Sequence, residues 1–244
     1  NRYVIDLVIL AVSIICMYEY FHAIKKVCNP IKWVGYLSSV YMTAIALVSD
    51  QLLFMKLLVY YIPVLVLILF LHVIITNMKI TLKDIAYTLI GIIYVPLFIM
   101  FLELIRCLEH GKILIGYVFV VSWATDIFAY IIGKSFGKHK FSKVSPKKSI
   151  EGCVAGLIGS VIVSLLYTWI AISFWNIEVS YLYIAIISFI LSAISQVGDF
   201  VASCIKRTVD VKDYSNLLPG HGGLLDRVDS LIFIAPFVYM LFVL

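Results

Sequence analysis

The sequence predicts an all-α polytopic membrane protein with about eight transmembrane helices and its polar loops on one side of the bilayer. Three observations carry this. Of 244 residues, 63% are hydrophobic and only 14% charged, a balance that would leave a soluble domain with an apolar surface. The apolar residues come in runs of about 20, the length that crosses a hydrocarbon core. When Lys and Arg are sorted by the side on which eight spans would place them, fifteen of nineteen share one side. That excess assigns the side to the cytoplasm, and one missed span would scramble it.

The spans follow in order. Residues 3–23 form the first, with Lys25, Lys26 and Lys32 after it. Residues 34–48 form a short second span, and residues 57–75 a third whose Pro63 a membrane helix tolerates. Residues 85–105 and 113–132 are the fourth and fifth. A basic loop, 134–152, precedes the sixth, 153–174. Residues 180–201 are the seventh, a polar loop occupies 202–229, and 231–244 begins an eighth. The net charge of +5 reads as positive-inside topology, and no nucleic-acid motif is present. The five cysteines (Cys16, Cys28, Cys107, Cys153, Cys204) are scattered without a CxxC. They read as small apolar residues, not as a disulfide or metal framework.

Several apolar spans carry polar stripes. Ser188, Ser192, Ser195, Gln196, Asp199 and Ser203 recur every three or four residues and share a helix face. Ser122, Asp126 and Tyr130 repeat the theme on the fifth span. Lipid cannot satisfy such groups, so they face protein or a watery cavity. Asp126 serves either a function or a hydrogen bond that pins two helices. Gly152, Gly156, Ser160 and Ser164 form a small-residue stripe read as close helix packing. The scattered acids Asp6, Glu19 and Glu103 lie near span ends and read as structural.

The loop at 202–229 concentrates the chemistry. It holds Asp199, Asp210, Asp213, Asp226 and Asp229 in or beside it, with Lys206, Arg207, Lys212 and Arg227. Gly220, Gly222 and Gly223 flank His221, and backbone N–H groups in such a turn can approach an anion closely. His221 would donate beside them, or cap a helix. Carboxylates, cations and a glycine-rich turn together suit a metal-bound polyphosphate. In the basic loop, Lys147 and Lys148 follow a Ser-Pro turn and can clamp phosphates. Lys138, Lys140 and Lys143 read as topogenic charges that touch anionic lipid.

The run Ser203-x-Ile205-Lys206-Arg207-x4-Lys212-Asp213-x-Ser215-x2-Leu218-Pro219-x-His221-Gly222-Gly223-Leu224-x-Asp226-Arg227-Val228-Asp229 resembles the signature of the phosphatidate cytidylyltransferases, the CDP-diacylglycerol synthases. A second run is similar to that family as well. It reads Asp126-x2-Ala129-Tyr130-x2-Gly133-Lys134-x-Phe136-Gly137-Lys138, then Ser145-Pro146-Lys147-Lys148-Ser149-x-Glu151-Gly152. Ser149 stands where the family usually has Thr, which keeps the hydroxyl. The resemblance covers residues 126–229. It divides one integral membrane unit into 1–125, without a readable motif, and a catalytic half at 126–244. It also implies a further hydrophobic segment before Asn1.

What the resemblance implies is a nucleotidyltransferase of phospholipid biosynthesis, converting CTP and phosphatidate to CDP-diacylglycerol and diphosphate. Mg²⁺ would be held by Asp199, Asp226 and Asp229, with a second metal ion left open. Lys147, Lys206, Arg207, Lys212 and Arg227 would act with those acids on the reacting phosphates. Lys148, Ser203, Gly220, His221, Gly222, Gly223, Asp126 and Tyr130 would line the substrates. The expected setting is a bacterial inner membrane with the active-site loops cytoplasmic, and the partners are CTP, phosphatidate and the bilayer, with room for a homodimer. Two rival readings are a CTP-dependent polyprenol or lipid kinase, which would release CDP, and an ion-coupled transporter with Asp126 and Asp199 as ion sites.

Overall fold

The computed structural model describes residues 2–140, 145, 148–175, 177–220 and 222–243, with the Arg2 side chain outside that description. Among the described residues, eight helices correspond to the expected apolar runs. They are α1 Arg2–Ile24, α2 Lys32–Ala46, α3 Gln51–Ile75, α4 Leu82–Cys107, α5 Gly111–Phe136, α6 Ile150–Trp175, α7 Tyr181–Thr208 and α8 Leu225–Val243. Six of them are long and apolar enough to cross a membrane. The other two fall short for different reasons. The 15 residues of α2 reach only about 22 Å at 1.5 Å per residue, and α8 opens on Asp226, Arg227 and Asp229. The protein is a multi-pass membrane protein.

Helix ends depart from the expected spans, and the departures fall on polar residues. The seventh span was expected to stop near residue 201, yet α7 runs to Thr208. Ser203, Lys206 and Arg207 therefore sit on helix. Hydropathy marks the apolar core only, whereas cations in a last turn complement the helix dipole and prolong it. For the mirror-image reason Asp226 lies in the first turn of α8. The polar loop proper is 209–224.

The chain divides into two compact units, residues 1–107 with 209–227 and residues 108–208 with 228–244. The expected division at 125/126 separated motif-poor from motif-rich sequence, and the packing follows other lines. In unit 1, Met17, Tyr20, Phe21 and Ile24 of α1 are buried with Ile92, Ile99 and Met100 of α4. Close approach to these rings explains two glycines. A Cβ at Gly35 would lie 2.4 Å from the Phe21 ring, and one at Gly91 2.3 Å from Tyr20. Helix α4 starts on a capping box between Thr81 and Asp84. The same Asp84 accepts the Asn29 N–H at 2.6 Å, which ties the α1–α2 connection to α4. A π turn at Ile93–Leu97 absorbs Pro96, which has no N–H to donate. Asp6 and Glu103 both pair with Arg106, so these acids are structural, as expected. Helix α3 buries only Leu65, Leu69 and Val73, and its remaining apolar surface suits lipid.

In unit 2, α5 and α6 pack backbone to backbone. A Cβ on Gly152 would lie 2.6 Å from the Ala129 carbonyl, and one on Gly156 2.9 Å from that of Thr125. The small-residue stripe thus meets the carbonyl face of α5. Two serines of the α7 stripe are met by α5 hydroxyls outside the Ser122–Asp126–Tyr130 series, while Ser195 Oγ finds no hydrogen-bond partner among the described residues. Tyr117 and Ser188 are 2.7 Å apart, as are Thr125 and Ser192. Gln196 donates to the Cys153 carbonyl at 3.0 Å. This buried polar seam orders α5, α6 and α7 beneath the charged ends of α5 and α7.

Candidate active site

In unit 2, Asp126, Lys148, Asp199, Lys206 and Asp229 come together from α5, the start of α6, α7 and α8. Lys148 pairs with Asp199. Its Nζ also lies 4.6 Å from the centre of the Phe200 ring, a cation–π contact that fixes the stem of the lysine. Both partners are partly exposed, at 20% and 27%, so they can meet a ligand from water. Asp199 acts electrostatically on Asp126 and on Asp229, offset by Lys148 at the first and by Lys206 at the second. Asp229 and Lys206 are buried. Asp126 accepts the Ser230 hydroxyl at 3.1 Å, and the Ser122 hydroxyl stands 3.0 Å from Ser230. Asp126 therefore joins α5 to α8, as the hydrogen-bond reading expected, and it also reaches the surface. Tyr130 is exposed and sits under Lys134, 5.7 Å from the ring centre.

The basic loop is anchored at both ends. Ser149 accepts the Gly152 N–H at 3.1 Å and so caps α6. Serine and threonine both carry the hydroxyl that this cap uses. Across the loop, Lys140 bridges to Ser149, the Ile150 N–H donates to the His139 carbonyl at 2.9 Å, and Glu151 lies 2.6 Å from the His139 ring. These contacts deliver Lys148 to Asp199. Lys143, Lys147 and His221 lie outside the described residues.

Unit 1 holds the glycine turn. The Leu218 N–H donates to the Gly222 carbonyl at 2.9 Å. Gly220 and Gly222 adopt φ of +76° and +81°, the left-handed region that glycine enters without strain. Asp226 Oδ2 accepts the N–H groups of Tyr214, at 2.9 Å, and Gly223, at 3.0 Å. Asp226 thus staples the two sides of the loop across α8's first turn. Lys212 and Arg227 are exposed. Beneath the turn lies a residue that the motifs did not signal. Glu19 of α1 is fully buried and accepts from Ser215 Oγ at 2.6 Å, Leu224 N at 2.9 Å and Leu225 N at 2.7 Å. Lys212 and Asp213 also line an open cavity of about 590 Å³ with Tyr18, Glu19, His22 and Lys26.

The donor chemistry bears on the expected magnesium. Among the described residues no three His, Cys, Asp or Glu side chains form a ready-made metal cage. Mg²⁺ does not ask for one. It keeps several waters and is commonly held by one or two carboxylates plus substrate phosphates. Asp199 and Asp229, hard oxygen donors of one unit with lysines beside them, fit such a substrate-completed ion. The cysteines do not enter. All five are free thiols, and burial, with the Asp84 charge second, pushes the Cys28 thiol up to about 11.

Comparison with known proteins agrees with the resemblance read from the motifs. The phosphatidate cytidylyltransferase of Bacillus subtilis (strain 168) is 36% identical over 181 residues, 73% of this chain and 66% of that protein. The protein of the same name from Staphylococcus saprophyticus is 39% identical over 173 residues, 70% of this chain and 64% of its own. That from Staphylococcus aureus (strain COL) is 36% identical over the same shares. The chain thus spans slightly under two thirds of these relatives' length. All of it, residues 1–244, matches the family described as the cytidylyltransferase family. With the family model matched over the whole chain and relatives of one name at 36–39% identity, this chain belongs to the cytidylyltransferase family.

Proposed function

We propose that this chain transfers the cytidylyl group of CTP to phosphatidate, giving CDP-diacylglycerol and diphosphate. The observation that carries the reading is the Lys148–Asp199 pair with Asp126, Asp229 and Lys206 in electrostatic reach. A phosphate oxygen of phosphatidate attacks the α-phosphorus of CTP, that oxygen–phosphorus bond forms, and the bond to the β-phosphate breaks with diphosphate leaving. Two anions must approach, so positioning and charge neutralisation make up most of the catalysis. No protein nucleophile is required, and a phosphomonoester is already largely deprotonated near neutral pH.

The residues divide that work. Lys148, held by Asp199 and Phe200, offers its ammonium to a phosphate. Lys147 is proposed to act with it. Lys206, Arg207, Lys212 and Arg227 neutralise the remaining phosphate charge, and Ser203 and Tyr130 line the substrates. The Gly220–Gly223 turn, with His221, presents backbone N–H groups to a phosphate. Asp199 and Asp229 would hold Mg²⁺, which when bound supplies positive charge to the diphosphate leaving group. Asp226 keeps its place among the acids proposed for magnesium while it staples the loop. The relatives named above are bacterial, and the excess of basic residues supports an inner membrane with these loops in the cytoplasm, where CTP is found.

Product analysis tests the reading. Detergent-purified protein is given cytidine-labelled CTP, phosphatidate and Mg²⁺. Label in the lipid phase with diphosphate released, both lost on adding EDTA, is the expected outcome. CDP release with a polyprenol or diacylglycerol acceptor would replace the reading by the kinase. CTP left intact with every acceptor would remove the enzyme reading.

A further inference from the structure

The N-terminal helix carries no recognisable motif, yet one of its side chains reaches the chemistry-bearing loop. Glu19 is fully buried on α1. Its Oε1 accepts Ser215 Oγ at 2.6 Å and Leu224 N at 2.9 Å, and its Oε2 accepts Leu225 N at 2.7 Å. Leu225 is the first residue of α8. The first N–H groups of a helix have no partner within it, and here a carboxylate from another helix takes the place that a capping side chain usually fills. Negative charge at a helix N-terminus is favoured by the dipole. Gly223 makes room for this arrangement, because a Cβ there would lie 2.7 Å from Glu19 Oε2.

We propose that Glu19 is a positioning residue for the reaction. It fixes both ends of the segment 215–225, which carries the Gly220–Gly223 turn and is flanked by Lys212 and Asp226. Ser215 is its hold on the N-terminal side of the turn, and Leu224 and Leu225 are its hold on the C-terminal side. Asp226 is the complementary staple, because its Oδ2 takes the Tyr214 and Gly223 N–H groups. Two carboxylates thus clamp one loop, one from the first turn of α8 and one from α1. Glu19 itself touches no substrate. This inference rests on the proposed cytidylyl transfer for its consequence in turnover, and on the loop alone for its structural half.

The test reads both halves separately. Glu19→Gln keeps the size of the side chain but places an amide NH₂ where N–H donors converge. Ser215→Ala removes, outside any helix, the hydroxyl that donates to Glu19 and accepts the Leu217 N–H, and serves as the second variant if Glu19→Gln does not fold. Hydrogen exchange is followed in full-length protein in detergent, with steady-state kinetics in both substrates. We expect the Leu224 and Leu225 amides to exchange at least about tenfold faster in Glu19→Gln, since hydrogen bonds to charged groups exceed tenfold each in an equilibrium. We expect kcat to fall by about tenfold or more with KM for phosphatidate unchanged, and Ser215→Ala to show smaller changes of the same kind. A merely structural acid would lower the yield of folded protein without that split. Unchanged exchange, or faster exchange with full kcat, overturns the proposal. A wild-type protein that makes no CDP-diacylglycerol overturns the function instead, and the exchange result then judges the anchor by itself.

Discussion

Two glycines of the same turn are required for different reasons. Gly220 has a φ of +76° and open space around its missing Cβ, whereas Gly223 has an ordinary φ and a buried carboxylate 2.7 Å from where a Cβ would stand. Gly220→Ala therefore meets backbone strain alone, about 1 kcal/mol. Gly223→Ala must displace Glu19 and loosen the start of α8. Thermal melting in detergent is expected to show a shift of a few degrees for the first and a clearly larger one for the second, with turnover lost mainly in the second. Equal effects would show that Glu19 gives way easily. The roles of the two glycines were half legible in sequence. The glycine-rich turn and its cations could be read, because the loop residues are near neighbours in the chain. Glu19 could not, because it lies 196 residues from Ser215 and a lone acid near the end of an apolar run gives no signal of its partner.

At the scale of elements, the eight helices were legible because each apolar run is a nearly independent statement about length, although six of them have the length and composition of a span. Helix ends were not. Lys206 and Arg207 look like loop residues by hydropathy, yet they close the last turn of α7, where cations are favoured. The α5–α6 pair was legible in its small residues but not in its partner, since a stripe of glycines says that something approaches and not what does. It is the Ala129 carbonyl, 2.6 Å from a Cβ on Gly152. Gly152→Ala must push the helices apart, and overpacking of this sort costs about 1–3 kcal/mol. Ser149→Ala, which removes the α6 cap, is expected to cost about 1 kcal/mol and to lower turnover further by loosening the path to Lys148. Chemical denaturation in detergent checks both. A Gly152→Ala protein as stable as the wild type would mean that α5 and α6 are not in backbone contact.

For the whole molecule the main claim is topology. Cys107 follows the fourth span and Cys204 lies at the end of the seventh, and both are exposed while Cys16, Cys28 and Cys153 are buried. On the proposed topology, with the basic loops cytoplasmic, Cys107 would lie outside and Cys204 in the cytoplasm. In intact cells an impermeant thiol reagent is expected to label Cys107 and spare Cys204, with Cys204 reacting after the membrane is opened. Labelling of Cys204 in intact cells would invert the topology and remove CTP from the proposed loops.

The central claim is that the Lys148–Asp199 pair belongs to a cytidylyl-transfer site. Asp199 is 27% exposed, so losing its ion pair costs the fold little, about 1 kcal/mol or less. The direct measurement is transfer of label from CTP to lipid by purified wild-type and Asp199→Asn proteins at saturating Mg²⁺ and phosphatidate. The account predicts labelled CDP-diacylglycerol and diphosphate from the wild type. It predicts a loss of at least about a hundredfold in the variant, with melting shifted by no more than a few degrees. Turnover in Asp199→Asn that still depends on Mg²⁺ and stays within a few-fold of wild type would contradict it.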